Sequence, residues 1–160
     1  EPGGQGSDTF SLPELGKIAQ ASTMQWVTIA LEKNIDLGFE DCATPAWVRG
    51  DAVSLTEMLG NLIDNAIRYT QAEGHITISV ADEQDKIVLR VEDNGPGIAA
   101  QHRERVFERF FRVLGSGQSG SGLGLAIVAE VAKRHGAEIK LEQGSNGTGT
   151  RIGIYFARAK

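Results

Sequence analysis

The stretch "RVEDNGPGIA" carries groups that could bind a polar ligand at the end of a strand. The β-prone run "KIVLRV" leads into the carboxylate of Asp93, and Asn94 is followed by Gly95, Pro96 and Gly97. A carboxylate accepts hydrogen bonds, and glycines let a backbone approach a ligand closely. Asn-Gly and Pro-Gly are also ordinary turn sequences, so a plain turn is the alternative interpretation.

A second polar set lies on one face of the helix predicted over "EMLGNLIDNAIRYT". With about 100° between successive residues, a polar stripe falls opposite the apolar face. The stripe contains Glu57, Asn61, Asn65, Arg68 and Tyr69. The solvated face of an amphipathic helix is one explanation. Asparagine is, however, a poor helix former, and its amide oxygen is a hard ligand suited to Mg²⁺. The stripe therefore also fits a site for a metal-bound anion facing Arg68.

A third set is the glycine-rich loop "GSGLGLA", which opens a predicted helix. Backbone N–H groups at a helix N-terminus bind anions, and Gly120, Gly122 and Gly124 leave room for phosphates. Leu123 and Leu125 are expected to pack. A flexible linker is the alternative for such a composition.

The elements that must position these groups follow from periodicity and turn residues. Helices are predicted over "SLPELGKIAQASTMQWVTIALEKN" and from the N-cap Asp51 to Tyr69. Two more are predicted over the short "AAQHRERVF" and over "LGLAIVAEVAKRHG", which ends at Gly136. Strands are predicted over "IDLGFE", "WVRG", "HITISVAD", "KIVLRVED", "AEIKLEQ" and "TRIGIYFAR". We predict an α+β domain: a two-layer α/β sandwich in which about three helices cover one face of a mixed, mostly antiparallel sheet of about five strands.

Composition restricts the class of protein. The chain has 160 residues, 41% of them apolar, which indicates one globular domain. A net charge of −5 argues against a general nucleic-acid binder. The single cysteine, Cys42, fits a reducing compartment, and no apolar run reaches the ~18 residues that span a bilayer. We expect a linker over residues 1–8 and the domain over 9–160, as part of a longer protein.

Five motifs resemble one superfamily. "NLIDNAIRY" resembles the N box of the gyrase, heat-shock chaperone, histidine kinase and mismatch-repair ATPases. "DNGPGI" and "GSGLGLAI" resemble its first two glycine boxes, "FERFFR" the F box special to histidine kinases, and "GTGT" the last box. The matches occur in the family order between Asn61 and Thr150. This resemblance implies the Bergerat α/β sandwich with ATP and Mg²⁺ as ligands.

The resemblance also implies a role for each residue near the base. Asp93 would accept a hydrogen bond from the adenine N6 amino group and disfavour guanine, whose oxygen would face the carboxylate. Gly95 and Gly97 would let the backbone approach the base, and Ile98 would line its pocket. Thr150 would donate a hydrogen bond near the base, although a plain strand threonine is an equal alternative.

Toward the phosphates, the resemblance makes Asn61 and Asn65 the Mg²⁺ ligands. The other implied nucleotide contacts are Arg68, Tyr69, Gly120, Gly122, Leu123, Gly124 and Leu125. The span 99–121 would be the ATP lid, in which Arg109 and Arg112 are the candidates to reach the phosphates. The lid phenylalanines Phe107, Phe110 and Phe111 would meet the helix that presents the target histidine.

Two absences refine the expected activity. Hydrolysing members of the superfamily carry a water-activating Glu at the position of Asn61, and Glu57, one turn earlier, is a poor geometric substitute. None of His75, His102 and His135 lies in the "HE-x-x-x-P"-like segment that histidine kinases phosphorylate. The chain is therefore expected to hold ATP and to lack the phosphoacceptor.

The chain is thus identified as a catalytic ATP-binding domain of a bacterial two-component sensor histidine kinase. It would transfer the γ-phosphoryl group of Mg·ATP to a histidine on a separate dimerisation domain, with a response regulator receiver domain downstream. The fragment is expected to be monomeric and cytoplasmic, and the parent a homodimer anchored in the bacterial inner membrane. A serine kinase, a gyrase-like ATPase and a degenerate interaction module are the alternatives; Asn61 and "FERFFR" oppose the first two, and the intact boxes oppose the third.

Overall fold

The computed structural model describes residues 11–42, 44–94, 124–143 and 149–159. Its helices and strands, in chain order, are α1 (Leu15–Glu32), β1 (Asp36–Glu40), α2 (Ala52–Tyr69), β2 (His75–Glu83), β3 (Lys86–Asp93), α3 (Gly124–Arg134), β4 (Glu138–Gln143) and β5 (Thr150–Ala157). Within the described ranges, no helix combines the length and the apolar character that a membrane crossing requires.

The five strands form one sheet in the order β1-β2-β3-β5-β4. β1 runs parallel to β2, whereas β2 with β3, β3 with β5, and β5 with β4 are antiparallel. The predicted mixed, mostly antiparallel sheet is confirmed. Since β3 is flanked by β2 and β5, its last residue is held from both sides.

The core lies between the helices and one face of the sheet. Alternate strand residues such as Ile78, Leu89 and Ile154 are fully buried there, together with Leu59 and Leu62 of α2. Strand side chains alternate between the two faces, so this period places one set of residues toward the helices. The predicted α+β layer with helices on one face is confirmed.

The beginning of α2 and the end of α3 have the capping residues that the sequence predicts. Asp51 caps α2 by accepting hydrogen bonds from the Ser54 backbone N–H at 3.2 Å and from the Ser54 hydroxyl at 2.5 Å. Gly136 follows α3 with a φ of +64°, and its N–H donates to Lys133 O. The next N–H, that of Ala137, donates to Ala132 O, which completes a Schellman motif at the end of α3.

The predicted strand over "WVRG" is wrong. Trp47 and Gly50 each form only an isolated bridge, to Glu14 and Ser11 respectively. The segment therefore pairs with the chain that enters α1 rather than joining the sheet. Its apolar Val48 is buried because it packs into the core next to α1, and this burial produced the strand-like pattern.

Candidate functional site

Asp93 and Thr150 lie side by side at one end of the sheet. Asp93 is the last residue of β3, Thr150 is the first of β5, and the two are direct partners in the antiparallel register. Asp93 has the same parity along β3 as the core residues Leu89 and Val91, so it lies on the helix-facing side. Thr150 is 7% exposed, whereas Asp93 is half-buried. The structure thus brings two predicted site residues together.

Gly149, which the sequence analysis did not single out, fits tightly against Asp93. Its φ is +80°, in the region that favours glycine. A Cβ at this position would overlap the Asp93 carbonyl oxygen and lie 2.8 Å from Asn94 Cα. Gly149 therefore allows β5 to begin directly against the end of β3. Its place just before Thr150 in "GTGT" was the available signal.

The predicted stripe on α2 is not a fully solvated face. Asn61, Asn65, Arg68 and Tyr69 are all half-buried, whereas Glu57 is exposed. Nearer the beginning of α2, the outward-facing residues Ala52, Val53 and Thr56 are exposed like Glu57. Four of the five stripe residues therefore lie at half-buried positions.

Asn61 faces the beginning of α3. Its Nδ2 donates to Glu57 O at 2.9 Å, along its own helix, which turns Oδ1 away from that bond. Oδ1 lies 3.4 Å from the point that a Cβ of Gly124 would occupy. Gly124 is the first residue of α3, so an amide oxygen and a helix N-terminus come together where residue 124 has no side chain. The structure thus brings together Asn61 and Gly124, which the sequence analysis predicted separately as site residues.

Arg68 is engaged on the surface of α2. Its Nε donates to Asp64 Oδ2 at 3.2 Å, one turn earlier, in a partly exposed ion pair. An anion bound at the stripe would therefore compete with this carboxylate for the guanidinium group. Beneath it, Lys33 donates from Nζ to Ile67 O at 2.7 Å and to Arg68 O at 3.1 Å, which caps the end of α2. Burial lowers the pKa of the Lys33 ammonium below its ordinary value, and the Arg68 cation lowers it further.

His135 joins the end of α3 to the beginning of α2. Its Nε2 accepts a hydrogen bond from the Asp51 backbone N–H at 3.1 Å, and its Nδ1 lies 2.8 Å from Val131 O. Since Nε2 acts as acceptor, the proton of the neutral ring lies on Nδ1 and is donated to that carbonyl. Arg134 Nη1 adds a hydrogen bond to Ser54 Oγ at 3.3 Å. The His135 ring therefore bridges the end of α3 and the beginning of α2.

These contacts show that α2 and α3 run antiparallel. The His135–Asp51 contact joins the end of α3 to the beginning of α2, and the Asn61–Gly124 approach joins the beginning of α3 to the middle of α2. The two contacts are separated by about 15 Å along α2 and about 17 Å along α3, so the spacing matches on both helices. Leu125 is buried in the core, which confirms the prediction that its side chain packs.

Comparison with known proteins agrees with this geometry. The family described as "Histidine kinase-, DNA gyrase B-, and HSP90-like ATPase" matches residues 50–160. The chain belongs to this family. The sensor protein kinase PmrB of Pseudomonas aeruginosa is 34% identical over 155 residues, which is 96% of this chain and 32% of PmrB. The chain thus spans about a third of the length of this curated relative, and its identification as a histidine kinase ATP-binding domain is confirmed.

Solved structures of the histidine kinase family share the fold. The mycobacterial sensor histidine kinase MprB superposes with a TM-score of 0.80 at 29% identity, covering 92% of this chain and 97% of that one. Full-length ShkA in complex with AMPPNP superposes with a TM-score of 0.81 at 25% identity, covering 94% of this chain and 32% of that one. The expected α/β architecture is therefore shared with histidine kinase structures, one of which holds an ATP analogue.

Some predicted contacts of the family site lie outside the described residues. These are Gly95, Gly97, Ile98, Arg109, Arg112, Gly120, Gly122 and Leu123, together with the short helix predicted over "AAQHRERVF". In the part of the chain that is described, no group of three His, Cys, Asp or Glu residues is arranged to hold a metal ion. Mg²⁺ usually keeps several waters and takes few protein oxygens together with substrate phosphates, so it does not require such a group.

Proposed function

We propose that this domain binds Mg·ATP and transfers its γ-phosphoryl group to a histidine on a separate dimerisation domain of the same kinase. The observation that carries the proposal is the pairing of Asp93 with Thr150 on the helix-facing side of the sheet. It agrees with membership of the histidine kinase and gyrase-like ATPase family. The bound AMPPNP of the similar ShkA structure gives further support.

In this proposal, Asp93 selects adenine. A carboxylate accepts hydrogen bonds only, so it pairs with the N6 amino group of adenine. Guanine would present an oxygen there, and two acceptors facing each other in a partly buried site are unfavourable. The Thr150 hydroxyl can donate or accept by rotating, and it lies beside Asp93. The pair therefore suits a base that offers both a donor and an acceptor, as adenine does.

The phosphates would lie toward the helices. N–H groups at the beginning of α3 are suited to anions, and Gly124 leaves the approach open. Asn61 Oδ1 faces that point, and Asn65 lies one turn along the same half-buried stripe. We assign both amides as Mg²⁺ ligands; the bound ion would neutralise part of the phosphate charge. Arg109 and Arg112 are the proposed lid contacts to the phosphates.

Transfer then depends on positioning and electrostatics. A nitrogen of the acceptor imidazole forms a bond to the γ-phosphorus as the bond to the β,γ-bridging oxygen breaks and ADP leaves. Asn61 offers no carboxylate to activate water, and Glu57, one turn away, is exposed. The domain should therefore hold ATP without rapid hydrolysis until an acceptor histidine docks.

The wider context is also part of the proposal. The parent would be a homodimeric sensor kinase anchored in the bacterial inner membrane, with this domain in the cytoplasm and a receiver domain as the next phosphoacceptor. The similarity to PmrB, a sensor protein kinase about three times as long as the matched region, supports this arrangement.

Calorimetry tests the base assignment. Asp93→Asn should weaken Mg·ATP binding by about 1.5–3 kcal/mol, because a charge-assisted hydrogen bond is lost. Asp85→Asn is the matched control, since Asp85 lies in the turn at the opposite end of β3 and should bind ATP like the wild type. Wild-type affinity for GTP equal to that for ATP would contradict the assignment.

A labelling experiment in trans tests the activity. The domain, mixed at high concentration with the separately made dimerisation domain of its parent and Mg·ATP, should label that domain with an acid-labile, base-stable phosphate. High concentration is needed because the native linker normally supplies a high effective concentration. Asn65→Ala should abolish labelling while leaving the circular dichroism unchanged. Labelling of the isolated domain, or hydrolysis as fast as that of a dedicated ATPase, would refute the proposal.

A further inference from the structure

Asn94 makes an unusual pair of hydrogen bonds just beyond the end of β3. Its backbone N–H donates to His75 O at 3.2 Å, as expected for the next step of the β2–β3 ladder. The reciprocal bond, however, runs from the His75 backbone N–H to the side-chain Oδ1 of Asn94, at 2.8 Å. In an ordinary hydrogen-bonded pair of an antiparallel ladder, the two residues exchange both bonds through their backbones.

The side-chain amide therefore replaces the backbone carbonyl of the same residue. The register continues to Asp93, which is opposite Ile76, so residues 94 and 75 are the next pair. Because Oδ1 accepts the bond from His75, the backbone carbonyl of Asn94 is not needed for the ladder. The chain can then leave the sheet directly after Asp93 while the His75 N–H keeps its partner.

Neighbouring glycines make room for this arrangement. A Cβ on Gly74, which precedes β2, would overlap Thr70 Cγ2 and come within 3.0 Å of Asn94 Oδ1. On the other side, a Cβ on Gly149 would overlap the Asp93 carbonyl oxygen. The peptide between Asp93 and Asn94 is thus held between β2 and β5, with no side chain at either neighbouring glycine.

We infer that Asn94 is a positioning residue that fixes the Asp93 carboxylate and thereby sets the preference for adenine. The inference rests on the proposed function of Asp93. It extends that function because Asn94 itself is exposed and is not assigned to the nucleotide. Without the Oδ1 bond, only the hydrogen bond from the Asn94 backbone N–H to His75 O would join this last pair of residues, and the position of Asp93 opposite Ile76 and Thr150 would be less firmly fixed.

The hydrogen bond can be tested without any nucleotide. In the wild-type domain, the amide hydrogen of His75 should exchange slowly with solvent, because Asn94 Oδ1 accepts it. Asn94→Ala should accelerate that exchange roughly three- to tenfold, which corresponds to one ordinary net hydrogen bond. Asn94→Asp keeps an acceptor oxygen and should restore slow exchange. Equal exchange rates at residue 75 in the wild type and Asn94→Ala would overturn the inference.

The consequence for the ligand is tested by the ratio of GTP to ATP dissociation constants. Asn94→Ala should reduce this ratio roughly three- to tenfold, whereas Asn94→Asp should restore it. The negative charge that Asn94→Asp introduces acts on both triphosphates alike, so the ratio isolates the base. Gln71→Ala, which removes an exposed side-chain amide from the turn before β2, is the matched control and should leave the ratio unchanged.

The possible outcomes distinguish a failure of the proposed function from a failure of the inference about Asn94. If the wild-type domain binds neither ATP nor GTP, the proposed function fails, while the exchange experiment still decides whether the bond exists. If the wild type prefers ATP and Asn94→Ala keeps the full preference, Asn94 does not position Asp93 and the inference is refuted. A merely structural role for Asn94 would weaken both nucleotides equally and leave the ratio unchanged, which also refutes it.

Discussion

Replacing Gly149 with alanine should damage both stability and nucleotide binding. The position has a φ of +80°, and an added Cβ would overlap the Asp93 carbonyl oxygen. The positive φ alone costs alanine about 1 kcal/mol. The overlap with backbone has to be relieved by moving the beginning of β5 away from β3, and such overpacking typically costs another 1–3 kcal/mol, so we expect a total of about 2–4 kcal/mol.

Gly136 provides the matched control for this substitution. Its φ is +64°, yet nothing lies within 4 Å of the position that a Cβ would take. Gly136→Ala should therefore show the conformational cost alone, about 1 kcal/mol in urea denaturation. ATP affinity should fall in Gly149→Ala and stay at the wild-type value in Gly136→Ala. Equal losses of stability and equal ATP affinities in the two variants would refute the assigned role of the Gly149–Asp93 approach.

Two further predictions concern the first turn of α2. The hydrogen bond from the Ser54 hydroxyl holds the pKa of the Asp51 carboxyl below its ordinary value of 3.8. The pKa of Asp51 is thus lower in the folded state than in the unfolded state. The ionised carboxylate therefore contributes its full stabilisation at pH values above the ordinary 3.8, and this contribution is lost as the pH falls through the folded-state pKa. Thermal unfolding between about pH 5 and about pH 2 should show a weaker pH dependence for Asp51→Asn than for the wild type, and identical curves would contradict it. His135→Ala should lower the free energy of unfolding by about 1–2 kcal/mol, because the Asp51 N–H loses its acceptor. His75→Ala, an exposed strand-end histidine, is its control, and equal unfolding free energies for the two variants would contradict the bridging role.

Local features were predictable from the sequence because neighbours in the chain determine them. The Asp51 cap needs only Ser54, three residues on, and the turn at Gly136 needs only the end of its own helix. The strand predicted over "WVRG" failed for the opposite reason: its partners, Ser11 and Glu14, are distant in sequence. An apolar pattern alone does not show whether a segment pairs with the sheet or forms isolated bridges to the residues that precede a helix.

The candidate site likewise combines residues that single motifs predict with pairings that no single motif predicts. Asp93 and Thr150 were each predicted from motifs, but their pairing depends on the register between β3 and β5, which no single motif contains. Turn chemistry was the alternative interpretation of the sequence after Asp93. The structure shows that β3 ends at Asp93 and that the side chain of Asn94 accepts a hydrogen bond from His75 on the neighbouring strand. Long-range pairing therefore decides what a locally ordinary Asn-Gly sequence does.

The two halves of the proposed ATP site belong to different layers of the fold. Asp93 and Thr150 are fixed by strand pairing, whereas Asn61 and Gly124 are brought together by two antiparallel helices that are joined again at their far ends by His135. A ligand that contacts only the sheet residues would leave the helix pair unconstrained, and one that contacts only the helix pair would leave the strand end unconstrained. ATP would contact both, so its binding energy would couple the layers, and any ligand that binds only the folded state raises its stability in proportion to the logarithm of its concentration. In the proposed complex, the alignment of base and γ-phosphate would therefore depend on the packing between sheet and helices as much as on the residues that contact the nucleotide.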